Sequence, residues 1–267
     1  MEELKSILEQ FDSNREKSIY CVDWEQKSDE EKYNAVAEWF RPCAKEILCD
    51  GYFLINGKKI IDIGSIELYY HEEEGNIKDY IMYHTNSKGS HSLYYKEKGK
   101  YPYFKIGSFN LHQSGVDVTF ENPDEKYRAS FLIRSYRVLK TNNGEYPIDD
   151  ITKYDNCSTH IFDDMFYEGI SFNGKDKTTI EWRKLKSPKN EKIKNLPRKN
   201  VAKYLSNNVK DDKIEGDLII NENDYTVEIN KKKNKSSYIP RYIKIGKKYY
   251  KQDMRPWQFK LECINNL

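Results

Sequence analysis

Asn56-Gly57 lies between two apolar runs, Tyr52 to Ile55 and Ile60 to Tyr70, and no other feature constrains the chain as strongly. Asn-Gly supplies the two positive-φ residues of a tight hairpin turn, so the flanking runs are expected to pair as antiparallel strands. The second run carries Glu67 among Ile66, Leu68, Tyr69 and Tyr70. A carboxylate there either faces water on an alternating strand or is partly shielded from it, and the second case suits a general base. Arg134, in the similar run Phe131 to Tyr136, poses the matching question, because a buried guanidinium needs an acid. Glu67 is a candidate partner.

Around this hairpin the pattern alternates between helix and strand signals. Ser28 and Glu31 form a capping box before Tyr33, Val36, Ala37 and Phe40 at helical spacing, with an end expected near Trp39 because Pro42 interrupts the run. A short helix is expected over 43–48. Residues 71–100 are polar and glycine-punctuated and read as a long functional loop, whereas 101–118 and 129–139 return to strand patterns. Residues 141–178 read as an insertion, 200–205 as a helix, 217–229 as one or two strands, and 238–259 as further strand alternation. No internal repeat is visible. The expected architecture is a single α+β domain over 1–267: a curved antiparallel sheet, an N-terminal helical extension over 1–42 and a basic C-terminal half.

The 267 residues are 33% charged, 37% hydrophobic and 14% aromatic, with mean hydropathy −0.92. That aromatic content excludes disorder throughout. No apolar run reaches the 18 or so residues a spanning helix needs, and the start, MEELKSILEQFD, has no basic region followed by an apolar one, so a cytoplasmic protein without a membrane partner is expected. A monomer is the default expectation. Five scattered cysteines (Cys21, Cys43, Cys49, Cys157, Cys263) form no C-x-x-C pair and read as reduced structural thiols. No metal site is expected, since His71, His91, His112 and His160 fall into no ligand spacing, and the absence of a P-loop or G-x-G-x-x-G run gives no sign of a nucleotide cofactor.

The net charge of +2 hides an asymmetry: residues 2–38 are acidic, while Arg183 to Lys199 contains one acid, Glu191, among many Lys and Arg, and Lys231 to Lys235 repeats the theme. A polyanion such as nucleic acid is the sharp reading, and a solvated lysine-rich surface is the bland one. His84 lies in the run from Tyr80 to Gly89, where aromatic rings alternate with hydrogen-bonding and basic groups, a mixture suited to a base and its phosphate. A lone loop histidine is otherwise simply solvated.

The order of these pieces resembles the alkyladenine (3-methyladenine) DNA glycosylase family. Ile66-Glu67-Leu68-Tyr69 is similar to the family's V-E-x-E-A-Y segment, and Asp79 to Thr85, with Tyr83 and His84, to its D-x-A-x-H-x segment. Gly115 to Phe120 followed by Phe131 to Arg134 is similar to its hairpin and L-I-R strand. Pro240 to Gly246, then Arg255 to Phe259, is similar to its P-R-I-G-I and R-P-x-R-F elements. The likeness spans residues 43–262.

The resemblance implies a hydrolase that flips a damaged or modified base out of DNA and leaves an abasic site, with no cofactor. It implies Glu67 as the base that activates water, Arg134 and a carbonyl near Ile243 as its supports, and Tyr69, Tyr83 and His84 around the flipped base. It implies DNA contacts from Arg241, Lys244 and Arg255, and from His112 or Gln113 where the family places a wedge tyrosine. That replacement, a longer loop before His84, an extra residue near Ile243 and the unmatched 141–178 segment leave open a bulkier, hypermodified base of foreign DNA as the substrate in antiviral defence. A non-catalytic nucleic-acid-binding protein, or a module whose basic face meets an acidic protein, remains the alternative.

Overall fold

Helix α1 (Glu2–Ile19) turns Leu4, Ile7, Leu8 and Phe11 inward, the three- and four-residue spacing of one helical face. Helix α2 (Asp29–Lys45) begins with the expected capping box, Ser28 Oγ accepting from the Glu31 backbone N–H and Glu31 accepting from that of Ser28. It does not stop near Trp39. It runs through Pro42 and closes in a π-helical turn, Glu46–Asp50, where a separate short helix was expected. Burial of Cys43, Ala44, Ile47 and Leu48 outweighs the roughly 3 kcal/mol that an internal proline costs a helix.

The computed structural model describes residues 1–21, 23–79, 102–112, 115–147, 154–166, 178–198 and 255–262, and the backbone of the strands over 202–205, 242–245 and 248–252. Strands β1 (Gly51–Ile55) and β2 (Lys59–Glu72) flank the Asn56-Gly57 turn, whose φ values of 52° and 69° are those the hairpin signal requires. Next come β3 (Ser108–His112), β4 (Gly115–Thr119), β5 (Tyr127–Lys140) and the short β6 (Asn156–Cys157), then helix α3 (Ile161–Phe166). Strands β7 (Ile180–Lys184), β8 (Ile193–Leu196), β9 (Ala202–Leu205), β10 (Tyr242–Ile245), β11 (Lys248–Gln252) and β12 (Gln258–Leu261) follow. Residues 200–205 were expected to be helical, but β9 pairs with β11 in a three-stranded sheet β10-β11-β9, so long-range pairing overrides the local pattern there. The strands expected over 217–229 lie outside the described residues.

The main sheet is antiparallel and curled, and its spine is the β2–β5 pair. On one flank of this spine β4 and β3 continue the sheet, with β6 beside the far end of β5. On the other, β1 and β7 extend from the start of β2, while β12 and β8 extend from its middle. The fold is therefore mixed α+β, a half-barrel backed by the N-terminal helices. No helix among the described residues is long and apolar enough to cross a membrane.

A register irregularity between Ile63 and Ile66 decides which side chains meet the helices. Ile61 and Ile63 before it, and Ile66, Leu68 and Tyr70 after it, all join the helix-backed core, as do Phe131, Ile133 and Tyr136 of β5. Asp62, Ser65, Glu67 and Tyr69 are left on the opposite face. Phe11 is the hub of the core, its ring within 6.4 Å of those of Trp39, Phe40, Tyr70, Phe120 and Tyr127. Burial pushes the thiol of Cys43 up to about 12 and that of Cys49 up to about 11, as inert structural cysteines require.

Two predictions follow from this packing. Phe11→Ala is expected to cost about 3–5 kcal/mol in urea unfolding, the range for a large aromatic removed from a tight core. Glu121 is buried with Oε1 lacking a hydrogen-bond partner among the described residues. Burial raises its pKa from 4.5 to about 7 against the pull of Arg128 and the Phe104 N–H. The native state thus binds an extra proton between those values, and stability should fall as pH rises from 4.5 to 7. Glu121→Gln should flatten that slope and exceed the wild type in stability above pH 7.

Candidate functional site

Glu67 is fully buried on the face of β2 that points away from the helices. Cross-strand pairing sets Leu132 of β5 beside it, and Arg134, two residues along on the same face, reaches back to it. Arg134 Nη2 lies 2.7 Å from Glu67 Oε2, and the Tyr69 hydroxyl donates to that same oxygen over 3.2 Å. Burial opposes the charge on Arg134, but Glu67 and then Tyr69 more than offset it and hold the guanidinium above its ordinary pKa. Tyr69 is held neutral far above the usual phenol range, by burial first and by Glu67 second, so it remains a hydrogen-bond donor. The two residues that sequence reasoning paired are therefore joined here, with Tyr69 as a third member.

Behind Tyr69 the site continues into Arg198, which the sequence did not single out, and into Asp79 and Arg255. Arg198 has no exposed surface, and its guanidinium sits 4.6 Å from the Tyr69 ring centroid and 5.2 Å from that of Trp257. It donates to both oxygens of Asp79, at 2.6 and 3.2 Å, and to the Leu68 carbonyl at 3.2 Å. Arg255 joins the same carboxylate at 3.3 Å, donates to the Lys78 carbonyl at 3.1 Å and lies 4.2 Å from the Trp257 ring. Asp79 thus links two arginines, and each arginine rests on an aromatic ring, an arrangement that fixes Tyr69 from behind. Arg198 stood in a basic run that read either as a nucleic-acid contact or as a solvated surface, and only its Asp79 partner and its aromatic neighbours mark it out.

In the other lateral direction, register places Gln258, Glu67, Leu132 and Asp117 in one row across β12, β2, β5 and β4. Asp117 is buried as well, and His112 Nε2 lies 3.2 Å from its Oδ2. His112, expected at a DNA wedge, is largely enclosed and paired within the sheet, with only 8% of its side chain exposed. Arg255, expected at a DNA contact, has its guanidinium on Asp79, Lys78 and Trp257. Tyr83, His84, Gln113 and Arg241 lie outside the described residues. Ile243 and Lys244 fall on β10, where the backbone alone is described.

A second buried acid, Asp62, occupies the same face of β2 nearer its start. It accepts from Arg137 Nε at 2.7 Å, from the hydroxyls of Tyr146 at 2.6 Å and Tyr154 at 3.0 Å, and from Lys189. Ser65 and Ser135, whose hydroxyls meet at 2.7 Å, lie between the two acids. A cavity of about 410 Å³ opens elsewhere, lined by Arg15, Trp24, Glu72, Glu74 and Glu125 among others, and none of the expected site residues borders it. Among the described residues no group of three or more His, Cys, Asp or Glu is placed to hold a metal ion. Comparison of the chain with protein-family models, with curated proteins and with solved structures gave no match.

The Arg198–Asp79 pair yields a stability prediction. Arg198→Ala leaves Asp79 buried with its main partner gone and is expected to destabilise by about 3–5 kcal/mol. Replacing both residues by leucine should recover most of that loss, and urea unfolding of the single and double variants measures the difference.

Proposed function

We propose that the protein is a DNA N-glycosylase that flips a modified base from the helix and hydrolyses its N-glycosidic bond, leaving an abasic site. The observation that carries this reading is Glu67: an acid without solvent exposure, ion-paired to Arg134 and hydrogen-bonded by Tyr69, on the face of β2 opposite the helix-backed core. Hydrolysis at the anomeric carbon needs one carboxylate to take a proton from water and to stabilise positive charge on the sugar. Arg134 and Tyr69 both converge on Oε2 and fix the direction of the carboxylate, so its orientation costs no rearrangement when the substrate arrives.

The resemblance to the alkyladenine glycosylase family supports the same roles and adds those of Tyr83 and His84 around the base, Ile243 at the water, and Gln113, Arg241 and Lys244 on DNA. Base flipping costs a few kcal/mol, least for a damaged or mispaired base, and an aromatic-walled pocket repays it. The basic C-terminal half of the sequence suits a polyanion. DNA is the expected partner, and a cytoplasmic enzyme acting in repair or in defence against foreign DNA is consistent with this chemistry.

The test is direct. Purified protein is incubated with DNAs carrying alkylated, deaminated or hypermodified bases, and released free bases are identified by mass spectrometry. Glu67→Gln should lower base release by about 10²–10⁴-fold, the usual contribution of a general base, while DNA affinity is kept. Absence of release from every substrate, with DNA binding unchanged in the variant, would overturn the enzyme reading in favour of a binding protein.

A further inference from the structure

The face that carries Glu67 carries a second acid beside it. Glu67, Leu132 and Asp117 sit side by side across β2, β5 and β4, so their side chains rise from one face with only Leu132 between the carboxylates. Two strand spacings put about 10 Å between the Cα atoms of the acids. His112 projects from the same face of β3, and its Nε2 lies 3.2 Å from Asp117 Oδ2. The other oxygen of that carboxylate, Oδ1, is buried with no hydrogen-bond partner among the described residues. A buried acceptor left unsatisfied is costly, and its persistence points to a proton or a ligand donor that completes it. Asp117 also shares its electrostatic surroundings with Glu67, Arg134 and Arg198, since the charges of all four bear on the Tyr69 hydroxyl.

Resting on the glycosylase reading, we propose that the Asp117–His112 pair is the proton source for the departing base, and that the substrate class is accordingly a neutral nucleobase. A base with a fixed positive charge leaves as a neutral molecule when the bond to the sugar breaks. A neutral base would leave as an anion, and needs a proton on a ring nitrogen or oxygen as the bond breaks. Inverting glycoside hydrolases meet the same need with two carboxyl groups about 6.5–9.5 Å apart, one activating water and the other protonating the leaving group. Here Glu67 takes the first part. The C1′–N bond breaks with its electron pair passing to the base, which receives the proton of the Asp117–His112 pair. Water forms the new C1′–O bond and gives a proton to Glu67. The pair has lost one proton and Glu67 has gained one, and exchange with solvent resets both. Asp117 and His112 are thereby assigned a catalytic role in place of a DNA wedge.

Duplexes of one sequence, carrying either 7-methylguanine, whose ring bears a fixed positive charge, or a neutral base (hypoxanthine, uracil or 5-hydroxymethylcytosine), test this. Base release is followed by mass spectrometry for the wild type, Asp117→Asn and His112→Gln, with unfolding temperature and DNA affinity measured in parallel. The wild type is expected to release at least one neutral base, and each variant to release it at least 100-fold more slowly. Any loss on 7-methylguanine, where the wild type releases it, should stay below threefold. Equal loss on both classes, or undiminished release of the neutral base by the variants, overturns the assignment. Wild-type release of 7-methylguanine alone overturns it while leaving the glycosylase reading standing, and release of no base overturns both. If one variant fails to fold, the other decides, since each removes one half of the pair.

Discussion

A charge buried in a sheet has to be answered from the neighbouring strand, and the β2–β5 spine is built around that requirement. Asp62 is directly opposite Arg137 in register, and Glu67 meets Arg134 on the diagonal. Both acids share one face only because the strand carries an irregularity between them. With an uninterrupted two-residue period, Glu67 on the outer face would bring Ile63 and Ile61 to that face and drive Asp62 into the apolar core. The shift near Ser65 lets four isoleucine and leucine side chains on both sides of it pack on the helices while both acids keep their arginines.

The legible part of this was the conflict between residue type and surroundings. Glu67 and Arg134 each stood in an apolar strand where a buried charge would need a partner, so each was a candidate for the other, while a water-facing Glu67 fitted the same pattern. The Asn56-Gly57 hairpin and the Ser28 capping box were legible because each is a local motif with its own geometry. The β2 irregularity was not, since it is fixed by the fit of two long strands and by helix packing behind them. Arg198 was hidden for a different reason: in a lysine-rich run every cation looks solvated, and the aromatic rings and acid that hold this one come from residues far away in the chain. Residues 200–205 and the passage of α2 through Pro42 went against local signals because distant contacts outweighed them.

Between Glu67 and the helices runs an alternation of rings and guanidiniums. Tyr69 touches Arg198, Arg198 touches Trp257, Trp257 touches Arg255, and Arg255 lies 5.4 Å from the ring of Tyr33 on α2. The Trp257 indole N–H donates to the Tyr33 carbonyl over 2.9 Å and ties the far end of this chain to the helix. Such contacts are modest singly, but in a dry interior each restricts the next, and Asp79 locks both arginines at once. The consequence at the site is a Tyr69 hydroxyl held where it can donate to Glu67, with little freedom to turn elsewhere. Preorganisation of this kind is what a carboxylate that must act without rearranging requires.

The buried acids on this face differ in how completely they are satisfied, and the difference separates structure from chemistry. Asp62 accepts from an arginine, a lysine and two tyrosines, so both of its oxygens are engaged by the protein and nothing is left for a ligand to supply. A closed unit of that kind fixes the register of β2 on β5 and ties Tyr146, Tyr154 and Lys189 to the sheet. Asp117 instead has His112 Nε2 3.2 Å from one oxygen, while the other, Oδ1, lacks a hydrogen-bond partner among the described residues. Buried ion pairs are seldom the most stable solution, since apolar residues of similar volume commonly do as well or better. An acid left open in this way, in the same row as Glu67 with only Leu132 between them, is therefore a poor candidate for scaffolding and a good one for a reaction in which a proton is given at one side and taken at the other.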